Sequence, residues 1–171
     1  MKRKQHITAF YLETLLMIAV VISIILVLTK VFGGARVQST RAKRLTDSVT
    51  LAQNTAEAVS LSHTAQELHE LLNEDSNAVF QEDEQSGQAL VTAVYDAQMQ
   101  PVPLSQEILE GVGQEGGAPD LLLRKGELVV ETSWVPSQEG GLVDAVITVF
   151  DGNTGEAVYA LETSVYPGGQ E

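Results

Sequence analysis

Residues 10–32 read FYLETLLMIAVVISIILVLTKVF and decide the organisation of the 171-residue chain. Within them, Leu15–Leu28 is apolar apart from Ser23. About 20 apolar residues in a helix cross the hydrocarbon core of a bilayer. The stretch Phe10–Phe32 therefore predicts one transmembrane helix. Glu13 is its single acidic residue, and an ionised carboxylate in hydrocarbon costs about 3 kcal/mol, so it needs a partner or a place at the headgroups.

Charge is distributed unevenly along the chain, whose net charge is −13. Residues 1–44 hold eight of the ten basic side chains and one acid, whereas residues 45–171 hold two basic and 22 acidic side chains, a net charge of −20. Because such a negative domain repels phosphate backbones, we predict that it binds no nucleic acid. The chain has no cysteine, which excludes disulfides, thiolate metal ligands and thiol chemistry.

Two general interpretations of the apolar helix are open. One is a cleaved secretory signal, with a basic n-region at residues 2–4 and small residues for cleavage at 33–35, which would release a secreted domain. The other is a single-pass anchor for an extracytoplasmic binding domain that does not polymerise. Charge counting does not decide the orientation, because three basic residues precede the span and five lie within residues 30–44.

A third interpretation comes from residues 10–16, FYLETLL, which follow a short basic leader at residues 1–9. This arrangement resembles the class III signal of type IV pilins and of type II secretion pseudopilins. In that family a long N-terminal helix carries a C-terminal globular head. The resemblance implies an N-terminus inside the cell and a head outside the cytoplasmic membrane.

The same resemblance implies specific partners. A prepilin peptidase would cleave the Ala9–Phe10 bond, which makes Glu13 the fourth residue of the mature chain; cleavage after Thr8 makes it the fifth. Glu13 would pair with the new N-terminal ammonium of a neighbouring subunit and set the register between subunits. The implied partners are membrane lipid, other pilin-like subunits and an assembly platform, and the implied product is a pseudopilus or a cell-surface filament.

Residues 33–61 are predicted to form an amphipathic stem helix after a bend permitted by Gly33 and Gly34. Small and aliphatic residues then recur at 4-3-4-3 spacing, which places them on one face of a helix. These residues are Leu45, Val49, Ala52, Ala56 and Val59. The basic residues near the start of the stem are predicted to form a solvated cluster close to the membrane: Arg36, Arg41, Lys43 and Arg44.

Residues 62–171 are predicted to form an acidic globular head. Ser62 or Thr64 can cap a short helix over Ala65–Leu72, with Leu68, Leu71 and Leu72 facing inward. A second short helix is predicted over residues 105–111.

Four strands are predicted in the head. A β-rich stretch, Ala89–Tyr95, predicts one strand that turns into Val102. Alternating apolar residues predict three more strands, which form a C-terminal antiparallel meander with a turn at residues 151–155. One face of this sheet is predicted to be apolar and the other polar, so the sheet needs a helical cover. The fold class expected is α+β, with a long N-terminal transmembrane-plus-amphipathic helix packed on a small C-terminal antiparallel sheet, which is also the pilin-like architecture.

The sequence contains no recognisable nucleophile–base pair, metal motif or phosphate loop, so we predict a non-enzymatic protein without a cofactor. His63 and His69 differ in helical phase and lack a third ligand at a suitable spacing. The turn at residues 151–155 lacks the ligand spacing of a calcium loop, which favours a plain hairpin turn. The Gly-rich residues 113–119 lack the Gly-Lys-Ser/Thr ending of a phosphate loop.

Overall fold

A computed structural model describes residues 2–83, 86–105, 108, 122, 126–137 and 141–166, with side chains from Phe10 onward. The elements are α1 (Lys2–Leu61), α2 (Ala65–Leu72), β1 (Ala78–Asp83), β2 (Gln88–Tyr95), β3 (Leu128–Pro136), β4 (Val143–Asp151) and β5 (Ala157–Val165). The fold is α+β, as predicted. The predicted loop at residues 113–119, and the predicted helix at 105–111 except for residues 105 and 108, lie outside the described residues.

The chain divides into two compact units, Met1–Lys43 and Arg44–Glu171. The first unit is the N-terminal part of α1, which continues through Gly33 and Gly34 without a break. A Cβ at either glycine would meet no atom within 4 Å. Among the described residues, no close contact therefore requires either glycine.

The C-terminal part of α1 belongs to the second unit and packs on the sheet. The predicted packing face of this helix agrees only in part with the face that is buried. Ala52 and Val59 are fully buried in the core, and Ala56 packs against it. Val49 is half-buried. Leu45 is 47% exposed, so its predicted place in the packing stripe was wrong.

The buried line of α1 runs through Ser48, Leu51, Ala52, Thr55 and Val59. At 100° per residue, this line is rotated by about 60° from the predicted one. Two of its five members carry hydroxyls, which the apolar pattern does not count. Ser48 is accommodated because its hydroxyl donates to the carbonyl oxygen of Arg44, 2.8 Å away, within the same helix.

Helix α2 has the predicted bounds and cap. The Thr64 side chain accepts a hydrogen bond from the backbone N–H of Glu67, at 3.1 Å, which satisfies one of the free donors of the first turn. Leu68 and Leu72 are buried as predicted, but Leu71 is 50% exposed.

The five strands form one antiparallel sheet in the order β1–β2–β3–β4–β5. The predicted C-terminal meander is confirmed as β3, β4 and β5, and the predicted strand at Ala89–Tyr95 is β2. Strand β1 has no counterpart among the predicted strands, and it pairs with β2 along Ala78–Asp83. Val102 follows an isolated bridge between Tyr95 and Pro101 and donates to Val94 O at 3.0 Å.

The sheet is covered on both faces near β1–β3. One face packs against α1 and α2 and contains the fully buried residues Val91, Val130 and Ile147. On the other face, Leu104, Ile108 and Leu122 pack against a second buried group that contains residues of β1, β2 and β3. The prediction of one polar face was therefore wrong for this half of the sheet, because part of the segment between β2 and β3 covers it.

Candidate assembly segment

The segment Phe10–Phe32 of α1 presents apolar side chains all round. Every side chain in it is exposed within the chain, from 49% for Val20 and Leu28 to 71% for Leu15 among the large apolar residues. Its length and composition are sufficient to cross a membrane. An apolar surface of this size is stable only in contact with lipid or with other protein.

The serine and threonine hydroxyl groups of the segment are satisfied within the helix. Thr14 Oγ1 donates to the carbonyl oxygen of Phe10 at 2.9 Å, Ser23 Oγ to that of Ala19 at 2.8 Å, and Thr29 Oγ1 to that of Ile25 at 2.9 Å. They need no external partner in an apolar medium. The charged groups Glu13 and Lys30 and the phenol of Tyr11 are the polar side chains of the segment that such back-bonding cannot satisfy.

Glu13 lies one turn before a shallow apolar groove on the helix surface. The groove is lined by Leu16, Val20, Ile24 and neighbouring residues, with Ala19 and Ser23 at its small-residue positions. Small residues four apart allow two helix backbones to approach closely. No side chain described from Phe10 onward forms an ion pair with Glu13. The carboxylate and a surface suited to helix packing therefore occur together.

Residues 30–44 form a basic segment, which carries five basic side chains and no acid. Arg36 and Arg41 are exposed. Arg44 is half-buried and forms an ion pair with Asp151 at the end of β4. The prediction that Arg44 belongs to the solvated cluster was wrong, because Arg44 forms an ion pair with Asp151 in β4.

Two of the side chains considered as metal ligands in the head, His69 and Asp151, make contacts within the fold. His69 Nε2 lies 3.4 Å from Ala78 O, and its ring is 5.7 Å from that of Phe80. Asp151 Oδ1 accepts from the Asn153 N–H at 2.9 Å, and Gly155 N–H donates to Asp151 O at 2.7 Å, as in a hairpin turn. In the part of the chain that the structure describes, no group of three or more His, Asp or Glu is arranged to hold a metal.

A polar groove in the head, hereafter the head groove, was not predicted. It lies where α1 and α2 meet the turn after β2, and its lining includes Asn54, Glu74, Tyr95, Gln98 and Gln100. The glutamines flank Met99 in a turn that the sequence does predict. What the sequence does not reveal is that α1 places Asn54 and Thr55 beside this turn, and that Glu74, just after α2, joins them.

Comparison of the chain with protein-family models, with curated proteins and with solved structures found no match.

Proposed function

We propose that this protein is a non-enzymatic, pilin-like or pseudopilin-like subunit of a type IV pilus or a type II secretion-like system. Phe10–Phe32 anchors it in the cytoplasmic membrane with the N-terminus inside and the head outside. The observation that carries the proposal is the single carboxylate of Glu13, which lies one turn before the small-residue groove on an otherwise apolar, exposed helix.

In the proposed mechanism, the carboxylate of Glu13 is neutralised by the N-terminal ammonium of a neighbouring subunit. A charge in hydrocarbon is tolerated when it is paired, so the pair both permits burial of Glu13 and fixes the register of two helices. Ala19 and Ser23 allow the helices to approach closely enough for the pair to form. Prepilin peptidase supplies the ammonium by cutting the leader before Phe10 or Ala9.

N-terminal sequencing of the protein from native membranes tests the processing step. The expected N-terminus is Phe10 or Ala9. A chain that begins at Met1 contradicts processing and favours an anchored binding domain that does not polymerise. A chain that begins near Arg36 contradicts both prepilin processing and a membrane-anchored domain, and it identifies a secreted domain.

Cysteine cross-linking tests assembly, and the absence of native cysteine makes the background clean. Ser23→Cys lies in the apolar groove of α1 and should give disulfide-linked dimers in oxidised membranes. Adding Glu13→Ala should abolish these dimers while membrane insertion is retained. Thr14→Ala is the matched control, because the Thr14 hydroxyl bonds only within its own helix, and it should leave the dimers unchanged. Dimers that persist in the Glu13→Ala protein would falsify the role of the carboxylate.

A further inference from the structure

The head groove is a preformed cavity of about 400 Å³. One wall is α1, through Asn54 and the buried Thr55, and another is the end of α2, through Leu72. The turn after β2 forms the third side, and the backbone N–H groups of Gln98 and Gln100 both donate to Asp96 Oδ1, at 2.8 and 2.9 Å. Because these bonds hold the turn, the groove exists before any ligand binds.

The groove is negatively charged and rich in hydrogen-bond acceptors. Glu74 is the charged residue of its described lining, and no described lining residue is basic. Burial, and then the negative charge of Glu74, raise the pKa of the Tyr95 phenol above its ordinary value, while a hydrogen bond with Asn77 opposes the shift. The carboxylate of Glu74 and the side-chain carbonyls of Asn54, Gln98 and Gln100 can accept bonds from a cation. An anionic ligand would meet repulsion.

The head as a whole imposes a requirement on any assembly of this chain. Residues 45–171 carry a net charge of −20, so two heads brought into contact repel each other. The basic segment, residues 30–44, carries five positive charges and no acid, so it can offset part of this repulsion. Arg36 and Arg41 are exposed there, and a guanidinium presents five donors in a planar fork that suits a carboxylate and amide carbonyls.

We propose that the head groove binds the arginines of the basic segment, Arg36 or Arg41, of a second copy of this chain. The guanidinium pairs with Glu74 and with the amide carbonyls, while the methylene stem of the arginine packs on the apolar part of the groove, at Leu72 and Met99. This inference rests on the proposed assembly function and adds a second contact between subunits, outside the membrane segment.

Charge reversal in full-length protein in membranes tests the pairing. Two versions of the chain are co-expressed, one with Leu71→Cys, an exposed residue at the groove, and one with Thr40→Cys in the basic segment, and disulfide-linked heterodimers are measured. Glu74→Lys in the first version should lower the heterodimer yield by roughly tenfold, since an attractive contact becomes repulsive. Combining it with Arg36→Glu and Arg41→Glu in the second version should restore the yield. Glu70→Lys is the matched control, since it makes the same charge change on α2 outside the groove lining.

The Ser23→Cys cross-link separates failure of this contact from failure of assembly. If Ser23 dimers form and Glu74→Lys has no more effect than Glu70→Lys, the groove contact is wrong and assembly stands. If neither cross-link forms, both proposals are wrong. If Arg36→Glu and Arg41→Glu lower binding to vesicles of anionic lipid but leave the Leu71–Thr40 cross-link unchanged, the arginines bind the lipid headgroups and the groove contact is again wrong.

Discussion

The guanidinium of Arg44 in α1 forms an ion pair with the carboxylate of Asp151 at the end of β4, 107 residues further along the chain. The Asp151 side chain is 9% exposed and that of Arg44 is 35% exposed. Asp151 also accepts the backbone N–H of Asn153 and so holds the turn between β4 and β5. One carboxylate thus ties the helix to the hairpin within the second unit.

We expect Arg44→Ala to destabilise the head by about 1–2 kcal/mol. The change leaves a buried carboxylate without its counter-ion, and the partial exposure of Arg44 limits the loss. Urea unfolding of the full-length chain in detergent micelles, followed by the fluorescence of the single tryptophan, Trp134, measures the effect. Arg41→Ala, which removes an exposed arginine of the same helix, should change the midpoint little.

A double-mutant cycle with Asp151→Asn isolates the pair itself. The asparagine side chain can still accept the Asn153 N–H, so the turn is preserved while the charge is removed. Once Asp151 is neutral, Arg44→Ala should cost much less than it does in the native chain. An equal cost in both backgrounds would mean that Arg44 stabilises the head through packing of its aliphatic stem alone.

The elements of this fold follow closely from local sequence patterns. The apolar run, the Thr64 cap and the alternation in β3, β4 and β5 each depend on residues near one another in the chain, and the corresponding elements are present. The buried face of α1 is not predicted by local pattern in the same way. Leu45 is apolar yet exposed, whereas Ser48 is polar yet buried. Helix phase depends on which side meets the sheet, and a serine that bonds its own helix can lie there at little cost.

The contacts that the sequence missed join distant residues. In the sequence, Arg44 is one member of a basic cluster and Asp151 is one residue of a turn. Only the fold brings the two side chains together. The head groove combines parts of α1, α2 and the turn after β2, none of which has a ligand motif of its own. Strand β1 is short, and its outer half, Gln81–Asp83, is polar, so its sequence gives only a weak strand signal. Pairing with β2 stabilises it as a strand.

Thr132 in the centre of β3 offers a test of core polarity. It is 0% exposed, and its hydroxyl has no hydrogen-bond partner among the described residues. A buried polar group without a partner costs about 1–3 kcal/mol. We therefore expect Thr132→Val, which keeps the side-chain shape, to stabilise the head by about 1 kcal/mol in the same urea assay.

Thr148→Val is the control for Thr132→Val. Thr148 lies in β4 on the opposite face and is half-buried, so the substitution changes β propensity similarly without removing an unpaired buried hydroxyl. If the two variants gain equally, strand propensity explains the stabilisation and the hydroxyl of Thr132 does not matter.

Gly126, just before β3, marks a close approach of two backbone segments. A Cβ at this position would clash with the Val94 side chain and lie 2.7 Å from the carbonyl oxygen of Tyr95. Glu127 N–H donates to that same oxygen at 3.0 Å, so the backbone cannot move away without losing a bond. We expect Gly126→Ala to destabilise the head by about 2 kcal/mol in the urea assay. Gly34→Ala, at a glycine with open space around it, should cause no such loss.

Glu131 makes the stability of the head depend on pH. It lies in β3 between Thr92 and Thr148, and burial raises its pKa above the ordinary value for a glutamate. The folded state therefore binds the proton more tightly than the unfolded state does. The contribution of Glu131 to stability is greatest at low pH and is lost as the pH rises through its folded-state pKa, because the charged form is then held in a poorly solvated site.

We expect Glu131→Gln to raise the urea midpoint at neutral pH and to change it little near about pH 4, where the native glutamate is largely protonated in the folded state. Glu162→Gln is the matched control, because Glu162 is exposed on β5. Its effect on the urea midpoint should be the same at the two pH values. A gain of equal size at both pH values would show that the substitution acts through packing or propensity. A loss at neutral pH would mean that the charge of Glu131 has a stabilising partner and that burial does not dominate its environment.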